Sequence, residues 1–306
     1  AVVRPAADEE IVVTTDFSLE GVHFRREWHS PESVGHKCLA RGLSDVAAMG
    51  ARPVAAFLSM ALPRELVAAR RGKPWVERFL DGLLALADQY KVPLAGGDTA
   101  RAVGPACFDI VLLGAVKRGA AWPRSGAKVG DSIYVTGALG GAAAELLALE
   151  RGPRKFAELR KADGNHPHFF PEPRLAVAAK LAKAGLVRAA IDISDGLSTD
   201  LGHICEESGL AAELDAAAIP VHRSALEAER AGLSESSLEL ALHGGDDYEL
   251  LFTARPGAKV PRTVAGVAVR RIGQMVARRK GRPRMMLRDE NGRLSTLEAR
   301  GWEHFK

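Results

Sequence analysis

Apolar residues recur along the chain with two different periods, and these periods predict a mixture of helices and strands. Between residues 31 and 50 apolar side chains return every three or four positions, which predicts a helix with one buried face. Runs rich in apolar residues at 11–15 and 54–62 predict strands. The same patterns predict further helices at 75–90, 140–150, 173–184, 197–208, 224–231 and 235–242, and further strands at 92–95, 107–116, 132–136, 189–193, 248–253 and 264–272.

A segment rich in glycine, proline and basic residues, 118–131, separates two series of these elements. Each series mixes helices with strands, and a chain of 306 residues is long enough for two cores. We therefore predict a fold of the α/β (α+β) class in two domains, residues 1–125 and 126–306.

Composition narrows the class of protein. The chain is 47% hydrophobic, which is typical of a globular protein. Its net charge of +4 argues neither for nor against a nucleic-acid partner. Three widely separated cysteines without CxxC spacing argue against a disulfide framework or a zinc site. The sequence has no apolar run near the ~18 residues that span a bilayer, so we expect a cytoplasmic protein that does not enter the membrane.

Aspartate residues lie where apolar runs meet turns, often beside glycine or a hydroxyl residue. They occur at residues 14–16, Asp45, 96–98 and 192–196. Converging carboxylates repel one another until a hard cation neutralises them, so the pattern predicts Mg²⁺ and phosphate binding. For each segment taken alone, an ordinary turn, a helix cap or a solvent-facing edge explains the residues as well.

Three other polar residues are candidates for ligand contacts. They are His23, Arg124 in a loop, and Asp246 in the segment 244–249. A lone histidine more often forms a structural hydrogen bond, an exposed arginine is usually solvated, and adjacent acids are common in turns. The sequence contains no P-loop, HExxH, GxSxG or strand-following GxGxxG motif, so any nucleotide is bound without these loops.

Six segments taken together, in order, resemble the thiamine-monophosphate kinase family of the aminoimidazole-ribonucleotide-synthetase-like superfamily. The resemblance implies a two-domain fold, with an N-terminal mixed sheet covered by helices on one face and a C-terminal α/β domain. It also implies a homodimer in which the N-terminal sheets of two subunits join into a barrel. The segments are TTDFSLEGVHF (14–24), SDVAAMGARP (44–53), AGGDT (95–99), RSGAKVGD (124–131), DISDGLSTDLGHI (192–204) and GGDDYELLF (244–252).

The resemblance implies ATP-dependent phosphorylation of thiamine monophosphate to thiamine diphosphate, with several Mg²⁺ ions held by aspartates at the domain cleft. No general base is assigned, because the second pKa of a phosphate monoester is about 6 and the acceptor is already ionised. By position, the resemblance implies metal ligands at Thr14, Thr15, Asp16, Asp45, Asp98, Asp192 and Asp195, ATP contacts at Gly97, Asp98, Arg124 and Ser194, and substrate contacts at His23, Asp246 and Trp302, the last by stacking on the thiamine rings.

Two departures from the family pattern affect these expectations. The family usually has a Gly-Asp-Asp-x-Ala segment before the strand that Val2 and Val3 are expected to enter, so we expect at least one metal ligand of the family to be absent from the sequence given. At Asp246 the family commonly has the longer glutamate, so this substrate contact is expected to be weaker or displaced.

Two alternative functions stay open at this point. Another ATP-using enzyme of the same superfamily, such as aminoimidazole ribonucleotide synthetase, shares most of the pattern. From a different class, the segment 270–288 has eight basic residues and no acid, which is compatible with a nucleic-acid-binding module. It lacks aromatic residues for base stacking, so we expect no nucleic-acid partner.

Overall fold

The computed structural model describes residues 1–68, 72–152, 166–303 and 305, and it contains two compact units. The N-terminal unit comprises residues 1–46, 51–121 and 169–175, and the C-terminal unit comprises 47–50, 122–168 and 176–306. The sequence did not predict that the chain returns to the N-terminal unit at 169–175. The domain division at 125–126 stays a prediction, because a compact unit is not yet a unit shown to fold alone.

The N-terminal unit contains a four-stranded sheet with the order β1-β4-β2-β3. Strand β4 pairs antiparallel with β1 and β2, and β3 pairs parallel with β2, so the sheet is mixed. The strands are β1 (Glu9–Leu19), β2 (Arg52–Leu62), β3 (Leu94–Arg101) and β4 (Cys107–Lys117), and the helices are α1 (Pro31–Ala48), α2 (Arg64–Val67) and α3 (Trp75–Tyr90).

One face of this sheet forms the core of the unit. On β4, Phe108, Ile110 and Leu112 are buried, whereas the residues between them are only partly buried. Phe79 of α3 stacks on Phe108 with 4.2 Å between ring centroids, and Leu112 is a close neighbour of Gly42 in α1. Alternation along the strands therefore places apolar side chains under the helices, as the sequence predicts.

The C-terminal unit contains an eight-stranded sheet with the order β12-β11-β7-β10-β5-β8-β6, and β9 pairs with β10 beside this path. The buried core includes Ile133, Ile191, Leu251 and Ile272. The strands are β5 (Ser132–Thr136), β6 (Ala189–Asp192), β7 (Ala211–Asp215), β8 (Leu250–Ala254), β9 (Thr263–Val264), β10 (Val267–Val276), β11 (Met285–Arg288) and β12 (Leu294–Thr296), and the helices are α4 (Gly141–Arg151), α5 (Leu175–Ala184), α6 (Leu197–Glu207), α7 (Arg223–Arg230) and α8 (Ser237–His243).

The observed elements differ from the predicted ones in several places. Strand β3 does not end at the glycine pair but continues through residues 96–101, because main-chain pairing with β2 tolerates glycine. Strands β7, β11 and β12 were not predicted, and residues 1–8 precede the first strand instead of entering one. Among the described residues, no helix is long and apolar enough to cross a membrane.

Candidate active site

Three of the predicted metal ligands lie together in the N-terminal unit. Thr14 and Asp16 are two residues apart on β1, so their side chains share a face of the strand. The Thr14 hydroxyl donates to the Asp45 carboxylate of α1, and Arg41 Nη2 of the same helix donates to Asp16 Oδ1 at 3.1 Å. Strand and helix together therefore form an acidic group from Thr14, Asp16 and Asp45.

The charge of this acidic group is poorly compensated. The pKa of Asp16 is raised to about 7, chiefly by burial; the positive charge of Arg41 opposes this rise, and the negative charges of Asp45 and Asp109 add to it. A carboxyl group with this pKa resists ionisation beside its neighbours, which is the situation that a bound cation relieves.

Thr15 lies on the opposite face of β1 from Thr14 and Asp16. Its hydroxyl donates to Asp109 Oδ1 at 2.7 Å, and Asp109 belongs to β4. Asp109 was not predicted as a site residue, although it is the single acid in an otherwise apolar strand. That signal is visible in the sequence, but its partner is 94 residues away and only the strand pairing identifies it.

Gly97 and Asp98 lie inside β3. A Cβ atom on Gly97 would lie 1.8 Å from the Leu58 carbonyl oxygen, and its φ of 152° also favours glycine. Asp98 pairs across the sheet with Ser59, which pairs with Asp109. Two strand spacings separate the main chains of Asp98 and Asp109 by about 10 Å. Asp98 therefore shares the face and row of Asp109 and not the face of Asp16.

His23 follows β1 in a tight turn. Its Nδ1 accepts a hydrogen bond from the Leu19 main-chain N–H at 3.0 Å, and its own N–H donates to the Leu19 carbonyl oxygen at 2.9 Å. With Nδ1 as the acceptor, the neutral ring carries its proton on Nε2. The histidine thus has the structural hydrogen bond that the sequence left open as an alternative to ligand contact.

Four predicted residues come together in the C-terminal unit through main-chain hydrogen bonds. The N–H of Asp246 donates to the Ser194 carbonyl oxygen at 2.8 Å, and the N–H of Trp302 donates to the Asp195 carbonyl oxygen at 3.0 Å. Asp192, the last residue of β6, is buried just before them. The turn after β6 therefore lies beside both the 244–248 loop and the C-terminal segment.

Asp200 fixes the geometry of this turn. Its Oδ2 accepts hydrogen bonds from the main-chain N–H groups of Ser194, Asp195 and Gly196, each at 3.1 Å. Burial raises the pKa of Asp200 to about 7, with a contribution from the charge of Asp195, while the three amide donors lower it. Asp200 was not predicted, because an acid in the first turn of a helix looks like an ordinary helix-start residue.

Two further acids of the 244–249 segment are buried. Asp247 accepts a hydrogen bond from the Gly140 N–H at 2.7 Å, and Glu249 accepts one from the Thr136 hydroxyl at 2.6 Å. Burial raises the pKa of Asp247 well above its ordinary value, against the amide donors of Gly140 and Ala142. These residues are therefore part of the packed interior and not exposed turn acids.

Arg124 lies at the other end of α6 from this group. The Arg124 carbonyl oxygen accepts a hydrogen bond from the Ser208 hydroxyl at 3.0 Å, and Ser208 is the C-cap of the helix. Eleven residues of helix span about 16 Å, so the Arg124 main chain is a helix length away from Asp195. Within this unit the structure does not bring Arg124 together with Ser194.

The oxygen donors of the acidic group fit one common mode of Mg²⁺ binding. Within the described residues, no three His, Cys, Asp or Glu side chains converge as a ready-made metal site. Mg²⁺ is nevertheless usually held by one or two carboxylates, with water and substrate phosphates completing its shell. The hard oxygen donors of the acidic group, together with the raised pKa of Asp16, fit that mode of binding.

The basic segment 270–288 gives no specific support to nucleic-acid binding. Arg284 Nη1 lies 3.4 Å from Glu206 Oε1, and Arg288 Nη2 lies 3.2 Å from Glu213 Oε2. Part of the positive charge is therefore paired within the unit.

Both halves of the chain match one family of proteins. The family of AIR synthase related proteins matches through its N-terminal domain at residues 1–116 and its C-terminal domain at residues 128–285. The thiamine-monophosphate kinase of Rhodopirellula baltica is 38% identical over 270 residues, covering 87% of this chain and 76% of the relative. The thiamine-monophosphate kinase of Escherichia coli K12 is 38% identical over 302 residues, which cover 97% of this chain and 87% of the relative. The chain belongs to the thiamine-monophosphate kinase family.

Solved structures agree with this assignment. The thiamine-monophosphate kinase of Stenotrophomonas maltophilia K279a matches with a TM-score of 0.80 and 34% identity, covering 97% of this chain and 89% of that one. The structure of AaThiL complexed with AMPPCP and TMP matches with a TM-score of 0.80 and 29% identity, covering 99% of this chain and 89% of that one. The hydrogenase maturation protein HypE, at 18% identity and a TM-score of 0.75, shares the fold alone. The predicted fold class and family are confirmed.

Proposed function

We propose that this chain catalyses the ATP-dependent phosphorylation of thiamine monophosphate to thiamine diphosphate. The observation that carries the proposal is the likeness, over 99% of this chain, to a structure complexed with AMPPCP and TMP. Relatives named thiamine-monophosphate kinase at 31–38% identity support the same activity. AMPPCP is an unreactive analogue of ATP, so that complex pairs a nucleotide with the phosphorylated acceptor.

The reaction requires no general base from the protein. The acceptor is a phosphate oxygen of thiamine monophosphate, and a monoester with a second pKa of about 6 is largely a dianion at neutral pH. The obstacle is repulsion between this dianion and the γ-phosphate of ATP. When bound, Mg²⁺ neutralises phosphate charge and stabilises the charge of the transferring group.

We assign the metal-binding role to oxygen donors of both units. In the N-terminal unit, the Thr14 hydroxyl fixes the Asp45 carboxylate, while Arg41 orients Asp16. In the C-terminal unit, Asp200 holds the turn that carries Asp195. The proposed metal ligands are Thr14, Thr15, Asp16, Asp45, Asp98, Asp192 and Asp195.

We assign the nucleotide and the acceptor to the remaining predicted residues. Gly97 lets the β3 main chain lie close to that of β2, and Ser194 lies in the turn held by Asp200. Trp302 is 53% exposed beside that turn, so its ring is accessible for stacking on a heterocycle. The proposed ATP contacts are Gly97, Asp98, Arg124 and Ser194, and the proposed substrate contacts are His23, Asp246 and Trp302.

We further propose that the chain forms a homodimer and acts in the cytoplasm. Val13 and Phe17 of β1 are 63% and 55% exposed, on the sheet face opposite the helices. In cross-strand pairing Val13 lies opposite Leu113, which extends the apolar surface onto β4. An uncovered apolar sheet face of this kind is suited to packing against a second copy of itself.

The direct test is product formation. The protein is incubated with Mg²⁺-ATP and thiamine monophosphate, and thiamine diphosphate is separated by chromatography. We expect one thiamine diphosphate for each ADP released. A parallel reaction with aminoimidazole ribonucleotide synthetase substrates is the control for the other superfamily activity. ATP consumption without thiamine diphosphate would contradict the proposal.

A further inference from the structure

The loop that carries Asp246 is held in a strained backbone conformation. Asp246 has a φ of 66° and Tyr248 a φ of 50°, which is the left-handed region that residues other than glycine rarely occupy. Such a conformation is strained and persists only where surrounding contacts impose it. Here the N–H groups of Asp246 and Tyr248 donate to the carbonyl oxygens of Ser194 and Ile193, both at 2.8 Å.

The strained loop brings the Tyr248 hydroxyl onto the Asp246 carboxylate. The hydroxyl donates to Asp246 Oδ1 at 2.7 Å, across only two residues of chain. Tyr248 is 3% exposed, so its ring cannot turn without disturbing the core. The position of the hydroxyl, and with it the orientation of the carboxylate, is therefore fixed by packing.

The other carboxylate oxygen of Asp246 faces His168. The distance from His168 Nδ1 to Asp246 Oδ2 is 3.8 Å, and His168 is buried. The main-chain N–H of His168 donates to Glu145 Oε2 at 2.9 Å, and Glu145 is a buried residue of α4. The Asp246 side chain is itself 34% exposed, so it is supported from the interior and still open to solvent.

We infer that Tyr248 and His168 are positioning residues that hold the Asp246 carboxylate to receive the cationic or N–H-bearing part of the substrate. This inference rests on the proposed function. A carboxylate recognises such groups by charge and by hydrogen-bond acceptance, and thiamine monophosphate carries both a thiazolium cation and an amino group. A pre-oriented acceptor binds more tightly than a mobile one because less side-chain entropy is lost.

The first test removes the hydroxyl and keeps the ring. For Tyr248→Phe we expect the KM for thiamine monophosphate to rise about fivefold, the size of one typical hydrogen bond, with kcat and the KM for ATP changed less than about twofold. Tyr134→Phe is the matched control, since it also removes one tyrosine hydroxyl. The Tyr134 ring lies on β5 and stacks on Phe252 of β8, with 5.3 Å between the ring centroids. Tyr134→Phe should leave both KM values unchanged.

A double-mutant cycle distinguishes positioning from a general structural role. If Tyr248 acts through the carboxylate, Tyr248→Phe should raise the KM for thiamine monophosphate no further in an Asp246→Ala background, where the hydroxyl has lost its acceptor at residue 246. His168→Gln should behave in the same way. The inference is overturned if neither variant changes this KM, or if each raises it equally with and without the Asp246 carboxylate.

Failure of the proposed function is distinguishable from failure of this inference. If the wild-type protein forms no thiamine diphosphate, binding of thiamine monophosphate is measured by calorimetry on the same variants. A roughly fivefold rise in the Kd for thiamine monophosphate supports the positioning role without turnover. A wild-type protein that neither binds nor converts thiamine monophosphate overturns both.

Discussion

The two units hold their negative charge in different ways. In the N-terminal unit, side chains meet side chains, because Thr14 donates to Asp45 and the charges of Asp45 and Asp109 act on Asp16. In the C-terminal unit, main-chain amides hold the acids, and Asp200 accepts three N–H groups within a single turn. In the C-terminal group, amide donors thus oppose the effects of burial and of the Asp195 charge, whereas in the N-terminal group the opposing charge is that of Arg41.

This difference separates two roles for a buried acid. A carboxylate that accepts several amide hydrogen bonds shapes the chain and contributes to stability. Carboxylates that face one another cost stability until a proton, an arginine or a metal ion lies between them. We therefore expect a bound cation to relieve the repulsion at Asp16 and Asp45, and Asp200 to contribute to the stability of the fold.

The largest predicted effect compares one proposed metal ligand from each unit. Asp98→Asn and Asp195→Asn should each reduce turnover by about 10²–10³-fold with little change in melting temperature, because each removes charge from the metal-binding set and not from the core. Asp81→Asn and Asp215→Asn are controls of the same chemistry at exposed acids. Near-wild-type turnover of both site variants at limiting Mg²⁺ would count against the assignment.

The next prediction tests the comparison through stability. Asp200→Ala leaves three amide donors without their acceptor and should lower the free energy of unfolding by about 2–3 kcal/mol. Asp109→Ala loses the Thr15 hydrogen bond but also removes a charge that repels Asp16, so the metal-free protein should change by less than about 1 kcal/mol. Urea unfolding in the absence of Mg²⁺ measures both. Equal losses would show that the two units do not differ in this way.

The long elements were predictable because their patterns are local. Helix α1 and helix α3 repeat apolar residues every three or four positions, and β4 is a long apolar run, so each is evident from its own sequence. Strand β7 has the sequence AAELD, which contains no β-branched or aromatic residue, and β12 has only three residues, so neither carries a strand signal of its own. Their places in the sheet come from pairing with distant strands.

The site was predictable in part for the same reason. Acids beside glycine and hydroxyl residues stood out, as at Asp16 and Asp195. Asp109 and Asp200 did not, because their roles depend on partners that only the folded chain supplies, such as Thr15 on a neighbouring strand. Alternation along β1 predicts that Thr15 faces away from Asp16, but only the pairing of β3 with β2 and of β2 with β4 shows that Asp98 does so too.

The smallest predicted effect is a pH dependence of stability that arises from Asp247, a buried acid with both amide donors and acidic neighbours. Burial raises the pKa of Asp247 although Gly140 and Ala142 donate to it. Because the pKa of Asp247 is raised in the folded state, the folded protein binds more protons than the unfolded one. The stability that this proton binding contributes is lost as the pH rises from the ordinary pKa of an aspartate towards the raised pKa of the folded state. Asp247→Asn cannot titrate, so its stability relative to wild type should increase from about pH 5 to about pH 8. A relative decrease would show that the amide donors outweigh burial.

The central claim is that the acidic group of the N-terminal unit serves a Mg²⁺-dependent transfer of phosphate to thiamine monophosphate. The most direct measurement is the initial rate of thiamine diphosphate formation against Mg²⁺ concentration, for the wild-type protein and Asp45→Asn. We predict no product without a divalent cation, a saturable rise for the wild type, and at least an about tenfold higher Mg²⁺ requirement for the variant. Product formed without any divalent cation, or superimposable curves for the two proteins, would contradict the account.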